Sequence, residues 1–568
     1  MVLSTIVLVF LSGFITHIQE PLSSPHGDAF LVNFILHHYM QVFSRGDWSQ
    51  WTDLPMLFGF HNTVFFTEFY PIHALLAWPL WKLSGNIFFA SNILAIGTIL
   101  FSAYSMYAYL LLFGIGITSA IFGSIVFALN PFLFARFPDH LLLVNVGWIP
   151  ISLACIELTI QKKDRRWLFG LCMVLILQLL TSSLHYSIFL SVFLPLYVFI
   201  RTVQTKNSFR LFWSRWMAVG FILFSIAAIS VGLLYKNAFA PWPLVRGQET
   251  AQTYAAVVSD WFFTAPSNAL YGKLKPIVAG RMPTLVREGI YSEQNIFAGI
   301  LVIVLCTASI VLLRRSVFRS IWILGIFCIL FGFLLSLGPT MVLSEQYTLA
   351  GPYRFIAWIN PLFFAVRVPA RFAIFSYIGF ALISGCMVET IIRSLRGLMK
   401  YAVILGLFGI LFLEYATMPL TFSTVSSQTQ SVYAPLSKRS DIHVIVDLPI
   451  GNLIAYPHPQ ARMEDDDARY LRDALLYHNK VLFNGYTGFL PSLYYERANA
   501  LSIHFPTAAK LHDLTSWGVQ AIVLHKDEYR DTQEYKTVYA GLQELGVPLL
   551  SHDATHAIFD LTAWKAVP

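Results

Sequence analysis

The sequence predicts a polytopic α-helical membrane protein of about eleven spans that ends in a soluble α/β domain. Three observations predict it. Apolar runs of about twenty residues recur as far as residue 419, each long enough to cross roughly 30 Å of hydrocarbon. Lys and Arg gather in short loops between those runs. Beyond residue 419 the long runs stop, and short β-rich segments alternate with amphipathic ones.

Of the 568 residues, 56% are hydrophobic and 12% charged, which excludes a water-soluble chain. The net charge of +7 does not mark a nucleic-acid binder. Residues 1–419 hold 26 basic against 15 acidic side chains, and residues 420–568 hold 12 against 16. The basic excess therefore belongs to the membrane part, where topology demands it. The partner that composition names is the bilayer, with no nucleic acid. Cys155, Cys172, Cys306, Cys328 and Cys386 all fall inside apolar spans without metal-ligand spacing. They read as small buried hydrophobes rather than disulfides.

The spans read 1–18, 87–112, 117–135, 141–160, 167–183, 185–200, 216–235, 295–313, 320–343, 372–392 and 401–419. The first lacks a basic leader and a clear cleavage site, so it reads as a retained helix rather than a signal peptide. Basic clusters occupy four short loops: Lys162 to Arg166, Arg201 to Arg215, Arg314 to Arg319, and Arg393 to Lys400. Eleven spans and a cytoplasmic N-terminus place all four loops inside. The same threading puts loops 19–86, 236–294 and 344–371 outside, together with the tail 420–568. The carboxylates that lie outside the spans fall, Asp164 apart, on that external face. The domain reading is thus a transmembrane domain, 1–419, whose external loops carry the chemistry, and an extracytoplasmic α/β domain, 420–568.

Within loop 19–86, the stretch Ile72 to Leu83 is apolar but too short and Pro-interrupted to span. It reads as an interfacial helix anchored by Trp78 and Trp81. In the tail, Ile442 to Leu448, Gly518 to Leu524 and Ala554 to Leu561 read as strands, and Pro506 to Trp517 and Arg530 to Leu545 as helices. The run Glu464-Asp465-Asp466-Asp467 reads as a solvated loop. No nucleophile–base spacing or phosphate-binding Gly loop is seen there, so the tail is expected to shape acceptor access rather than to catalyse.

Candidate site residues follow from this sidedness. Asp28 ends a loop that enters a helix, and it reads either as an N-cap or as a general base at the membrane surface. Partial desolvation there would raise its pKa toward a useful value. Asp53 and Glu68 are the other candidate bases. His26 and His61 are candidate substrate-binding partners, and their spacing gives no metal site. Arg136, Asp139 and His140 share a short external loop that is either a polar turn or part of the same cavity. Arg246, Glu249 and Asp260 lie in the second long loop. Arg367 and Arg371 straddle Pro369 where a helix enters the membrane from outside. Arginine outside runs against the positive-inside trend, and its planar fork suits a phosphate. Headgroup snorkelling is the alternative.

Several stretches carry a resemblance. They are His26-Gly27-Asp28, Glu68 to Pro71, Asn130-Pro131 with His140 and Trp148-Ile149-Pro150, and Phe364 to Phe372. Asn484-Gly485-Tyr486-Thr487-Gly488 and Leu514 with Gly518-Val519 add to them from the tail. Together with a short first span, a large external loop and a soluble C-terminal domain, they resemble the GT-C class of integral-membrane glycosyltransferases. The likeness is to a bacterial branch of multispan proteins and covers nearly the whole chain. Many members carry an acidic pair near the first span, where this chain has Asp28 alone. The resemblance implies an inverting hexosyl- or pentosyltransferase of the bacterial inner membrane. It would move a sugar from a polyprenyl-phosphate donor to an extracytoplasmic lipid, glycan or protein acceptor. A base would deprotonate the acceptor hydroxyl, and arginines would stabilise the departing lipid phosphate. No cofactor is implied, and metal dependence varies across the class, which leaves a divalent ion open. A non-enzymatic flippase or carrier for lipid-linked glycans is the competing reading. It would more naturally show internal repeats and polar residues along the mid-membrane path. No repeat is seen here and intramembrane charges are few, with Glu157, Gln178 and His185 the polar candidates inside spans.

Overall fold

In hydrocarbon every backbone N–H and C=O must pair within its own segment, so an apolar run has little choice but to become a helix. The computed structural model describes residues 1–22, 27–242, 248–265, 267–274, 277, 293, 295–342, 348–360, 362–363, 366–417, 420–422, 427–450, 463–502, 504–529 and 531–565. Among them, eight helices are long and apolar enough to cross a membrane. They are Ile87–Leu111, Ile117–Phe134, Leu141–Lys162, Leu184–Thr205, Arg215–Phe239, Arg319–Ser336, Pro369–Ser394 and Gly397–Tyr415. The protein is accordingly a multi-pass membrane protein. The remaining three of the eleven expected spans are shorter helices. Two are Arg166–Thr181 and Ile300–Leu312. The first run divides at Leu11 into Val2–Phe10 and Ser12–Ile15. Hydropathy counts apolar residues and is blind to such a break.

The chain forms two compact units. One comprises Met1–Thr16, Leu94–Val231 and Leu244–Leu420. Its centre is the helix Pro369–Ser394, whose apolar window is 100% buried, whereas that of Gly397–Tyr415 is 11% buried. The first is therefore a core helix and the second one that presents its side chains outward. Arg319–Ser336 and Ile117–Ala128 pack on the central helix. Small residues permit the close approach: a Cβ at Gly123 would lie 2.7 Å from the Ala381 carbonyl oxygen. Phe193 fills the adjoining space against Phe331 and Phe375. A two-stranded antiparallel ribbon, β1 (Thr340–Val342) with β2 (Thr348–Ala350), also belongs to this unit.

The other unit comprises His17–Ile93, Gly232–Pro243 and Thr421–Pro568. Its sheet has the order β4-β3-β5-β7-β6, from β3 (Val444–Leu448), β4 (Val481–Leu482), β5 (Ala521–His525), β6 (Leu549–His552) and β7 (His556–Asp560). β3 runs parallel to β4 and β5, and β7 runs antiparallel to both β5 and β6. The expected strands at 442–448, 518–524 and 554–561 are thus β3, β5 and β7. The expected helices are Ala508–Ser516 and Thr532–Glu544. The segment 19–86 joins this sheet's core, since Leu57, Phe60 and Phe66 cluster with Val446, Ile522, Leu524 and Phe559. Its backbone continues the pairing: Leu482 donates to the Pro55 carbonyl at 3.0 Å and Leu57 to that of Asn484 at 2.9 Å. The stretch Ile72 to Leu83, expected as an interfacial helix, is helical over Pro71–Ser84.

The acidic run at 464–467 departs from expectation. It opens the helix Met463–Asp473 rather than forming a solvated loop. Carboxylates suit the positive end of a helix dipole. Asp467, 4% exposed, accepts hydrogen bonds from Asn484 at 3.4 Å and Tyr494 at 3.5 Å.

Candidate active site

Gly27 opens the helix Gly27–Arg45, and Asp28 stands in its first turn rather than at a capping position. The helix dipole there favours an ionised carboxylate. Asp28 is half-buried and accepts a hydrogen bond from Tyr486 Oη at 3.0 Å. The contact needs glycine beside it, because a Cβ at Gly27 would sit 3.1 Å from Ala468 Cβ and 3.3 Å from Tyr486 Oη. The turn that presents Tyr486 is held by Asn484. Its side chain accepts from the Asp447 N–H at 2.8 Å and donates to the Asp447 carbonyl at 2.9 Å. Gly485 leaves room for the Leu57 side chain, which occupies the place a Cβ would take. The Asn484-Gly485-Tyr486 sequence therefore serves to deliver a hydroxyl to Asp28.

The other two carboxylates are occupied locally. Asp53 accepts from His61 Nδ1 at 2.8 Å and from the Asn62 N–H at 2.6 Å, closing its own loop. Glu68 accepts from Tyr70 Oη at 2.6 Å. The His61 side chain is 83% exposed. His73, by contrast, is buried, and that burial pushes it down to about 4, so it is held neutral. His26 and Arg246 lie outside the described residues.

In the membrane-helix unit, Arg136 and Arg371 meet on Glu293, which sequence reasoning passed over. Arg371 Nη2 reaches Glu293 Oε1 at 2.5 Å, its Nε lies 3.2 Å from the same oxygen, and Arg136 Nη2 pairs with Oε2. Arg136 is fully buried, and Glu293 and Arg371 are each 6% exposed. The Arg136 guanidinium also lies 4.0 Å from the centre of the Phe132 ring and donates to the Phe132 carbonyl at 2.5 Å. Asn130 caps the short helix Pro131–Phe134 that carries Phe132. Arg371 Nη1 donates toward His185 Nδ1 at 3.2 Å. Burial alone would raise the Glu293 carboxyl. The charges and hydrogen bonds of the two arginines prevail and hold it well below its usual range.

The remaining candidates in this unit have separate surroundings. Arg367 is half-buried and stacks on Tyr254 at 4.7 Å, with no carboxylate partner among the described residues. Asp260 is fully buried and accepts from the Val257 N–H at 2.9 Å, which ties down its own turn. Glu249 is exposed in the first turn of Gln248–Thr253. Asp139 and His140 are half-buried beside the Arg136 turn, and the His140 N–H donates to the Arg136 carbonyl at 2.8 Å. A carboxylate directly ahead of the apolar run at 295–313 was the available signal for Glu293. Its partners, 157 and 78 residues away, were not visible.

The architecture can be set beside known structures. ArnT from Cupriavidus metallidurans, solved bound to undecaprenyl phosphate, superposes with a TM-score of 0.51 at 14% identity, covering 100% of this chain and 98% of that one. Arabinofuranosyltransferase AftD from Mycobacteria superposes with a TM-score of 0.57 at 10% identity, covering 99% of this chain and 39% of AftD. Both belong to the GT-C glycosyltransferases. The fold is GT-C-like. This chain spans well under half of AftD, and at these identities the likeness concerns the fold alone. No family model matches the chain, and no curated protein matches it by sequence.

Proposed function

We propose that this GT-C-like protein is an inverting glycosyltransferase that moves a hexose or pentose from a polyprenyl-phosphate donor to a glycan, lipid or protein of the cell envelope. The observation that carries the reading is the whole-chain likeness to ArnT, solved with undecaprenyl phosphate bound. Asp28 is the general base in this reading: a half-buried carboxylate held by a tyrosine hydroxyl and placed at a helix start. Arg367 is the donor-phosphate ligand. Its guanidinium is steadied on Tyr254 and is not spent on a carboxylate among the described residues. Arg136 and Arg371 instead devote donors to Glu293, and their part is to hold the frame.

The test is donor binding. Undecaprenyl phosphate should bind the purified protein in detergent, and Arg367→Gln should weaken it about tenfold to hundredfold, the usual worth of a charge-assisted hydrogen bond. Native mass spectrometry reads this directly, and equal affinity in the variant would remove Arg367 from the role.

The four basic loops support the bacterial inner membrane as the location, with the N-terminus inside and residues 420–568 outside. A membrane-impermeant maleimide applied to intact spheroplasts should label cysteines placed at Ser49 and Gln428 but not at Lys163, in a background cleared of the five native cysteines. Labelling at position 163 would overturn the threading.

A further inference from the structure

The sheet-bearing unit assembles a second group of chemistry-bearing side chains at the carboxyl ends of its parallel strands, where open α/β sheets bind ligands. Asp447 stands near the end of β3 and His525 ends β5. The antiparallel register sets His556, the first residue of β7, opposite His525. Asp473 closes the helix Met463–Asp473. Asp473, His525 and His556 each offer one ligand atom, and these atoms all lie within 4.8 Å of one another.

The surroundings are those of a metal centre rather than of a packed core. Asp447 Oδ1 lies 2.7 Å from His525 Nε2. A carboxylate on one ring nitrogen is the arrangement that orients a histidine and leaves its other nitrogen for a metal. His556 is steadied in the same way, its Nδ1 2.8 Å from Thr555 Oγ1 and 3.4 Å from Asp553 Oδ1. Asp473 Oδ1 receives Arg472 Nη2 at 2.9 Å, so one carboxylate oxygen is fixed while the other remains for coordination. The buried atoms Asp447 Oδ2, Tyr433 Oη and His478 Nε2 have no hydrogen-bond partner among the described residues. Unsatisfied buried polar atoms are rare, and these three mark the neighbourhood as polar rather than as an apolar core. All three ligand residues line a cleft of about 350 Å³, together with Tyr470, Arg469 and Arg472.

We propose that Asp473, His525 and His556 bind one divalent transition-metal ion of the zinc class, with Asp447 as the positioning residue behind His525. Two imidazoles and one carboxylate form a borderline donor set that suits zinc and its neighbours rather than magnesium or calcium. Three protein ligands leave a coordination position open to the cleft, as in catalytic rather than closed structural sites. The site is independent of the transferase reading and stands or falls separately from it.

The experiment uses the full chain purified in detergent, stripped with a chelator and titrated with Zn²⁺ by calorimetry, then with Co²⁺ followed by its visible absorption. One Zn²⁺ per chain is expected, with Co²⁺ bands of a low-symmetry nitrogen and oxygen site. His556→Gln and Asp473→Asn should remove the Co²⁺ bands and stoichiometric Zn²⁺ binding. Asp447→Asn should bind about 10- to 100-fold more weakly. Circular dichroism and size exclusion identify any variant that fails to fold. His556 is only half-buried, so its variant keeps the test decisive if Asp473→Asn misfolds. Substoichiometric Zn²⁺ in the reloaded wild type, binding by Mg²⁺ or Ca²⁺ alone, or wild-type affinity in a folded His556→Gln protein would each overturn the proposal.

Discussion

Glu293→Gln is expected to destabilise the membrane-helix unit by about 3–5 kcal/mol, the usual cost of breaking a buried ion pair from one side. The reason is asymmetry. The glutamine keeps the shape but removes the carboxylate charge that faces the buried guanidiniums of Arg136 and Arg371. A surface pair would yield a fraction of this. The measurement is the thermal midpoint of the purified protein in detergent. A midpoint unchanged from wild type would mean that solvent or lipid compensates the arginines. The same triad predicts acid tolerance. A carboxylate held below its ordinary value of 4.5 contributes stability that is fully present above pH 4.5 and lost only as pH falls through its lower folded value. This contribution should therefore be intact throughout the neutral and mildly acidic range.

Asp28→Asn is expected to lower sugar transfer about a hundredfold or more, in line with typical acid–base contributions, while leaving expression and thermal midpoint near wild type. Asparagine can still accept the Tyr486 hydrogen bond, so the local geometry persists and only the proton acceptor is lost. Tyr486→Phe should cost less, because it removes an orienting contact and not the base. Transfer at near wild-type rate in Asp28→Asn would move the role to Asp53 or Glu68. The local partners of those two, His61 and Tyr70, make them the weaker candidates.

Much of the fold was legible because a bilayer imposes a single requirement, a long apolar helix, and hydropathy reads it directly. The ends were less legible. Leu11 interrupts the first run although it is itself apolar. Gly299, at φ +95°, starts the next short helix only at Ile300, and a Cβ there would lie 2.8 Å from Glu414 Oε2. The tail's three principal strands were visible as β-rich runs. Its acidic helix was misread because four consecutive carboxylates look solvated, whereas Asp467 is drawn inward by Asn484 and Tyr494. At the candidate site, Asp28 announced itself by position, but the tyrosine that holds it comes 458 residues later. Glu293, Asp447, His525 and His556 stayed hidden for the same reason. Their partners are set by tertiary packing and leave no local spacing to read.

The central claim is that this chain breaks the bond between sugar and lipid phosphate rather than carrying the intact donor. Purified protein in liposomes can be given a radiolabelled polyprenyl-phosphate sugar together with a cell-envelope extract as acceptor. Products are then separated into intact donor, free polyprenyl phosphate and labelled acceptor. The account predicts time-dependent release of polyprenyl phosphate matched by label in the acceptor, both lost in Asp28→Asn. Intact donor appearing in the opposite leaflet, with no polyprenyl phosphate released, would contradict it.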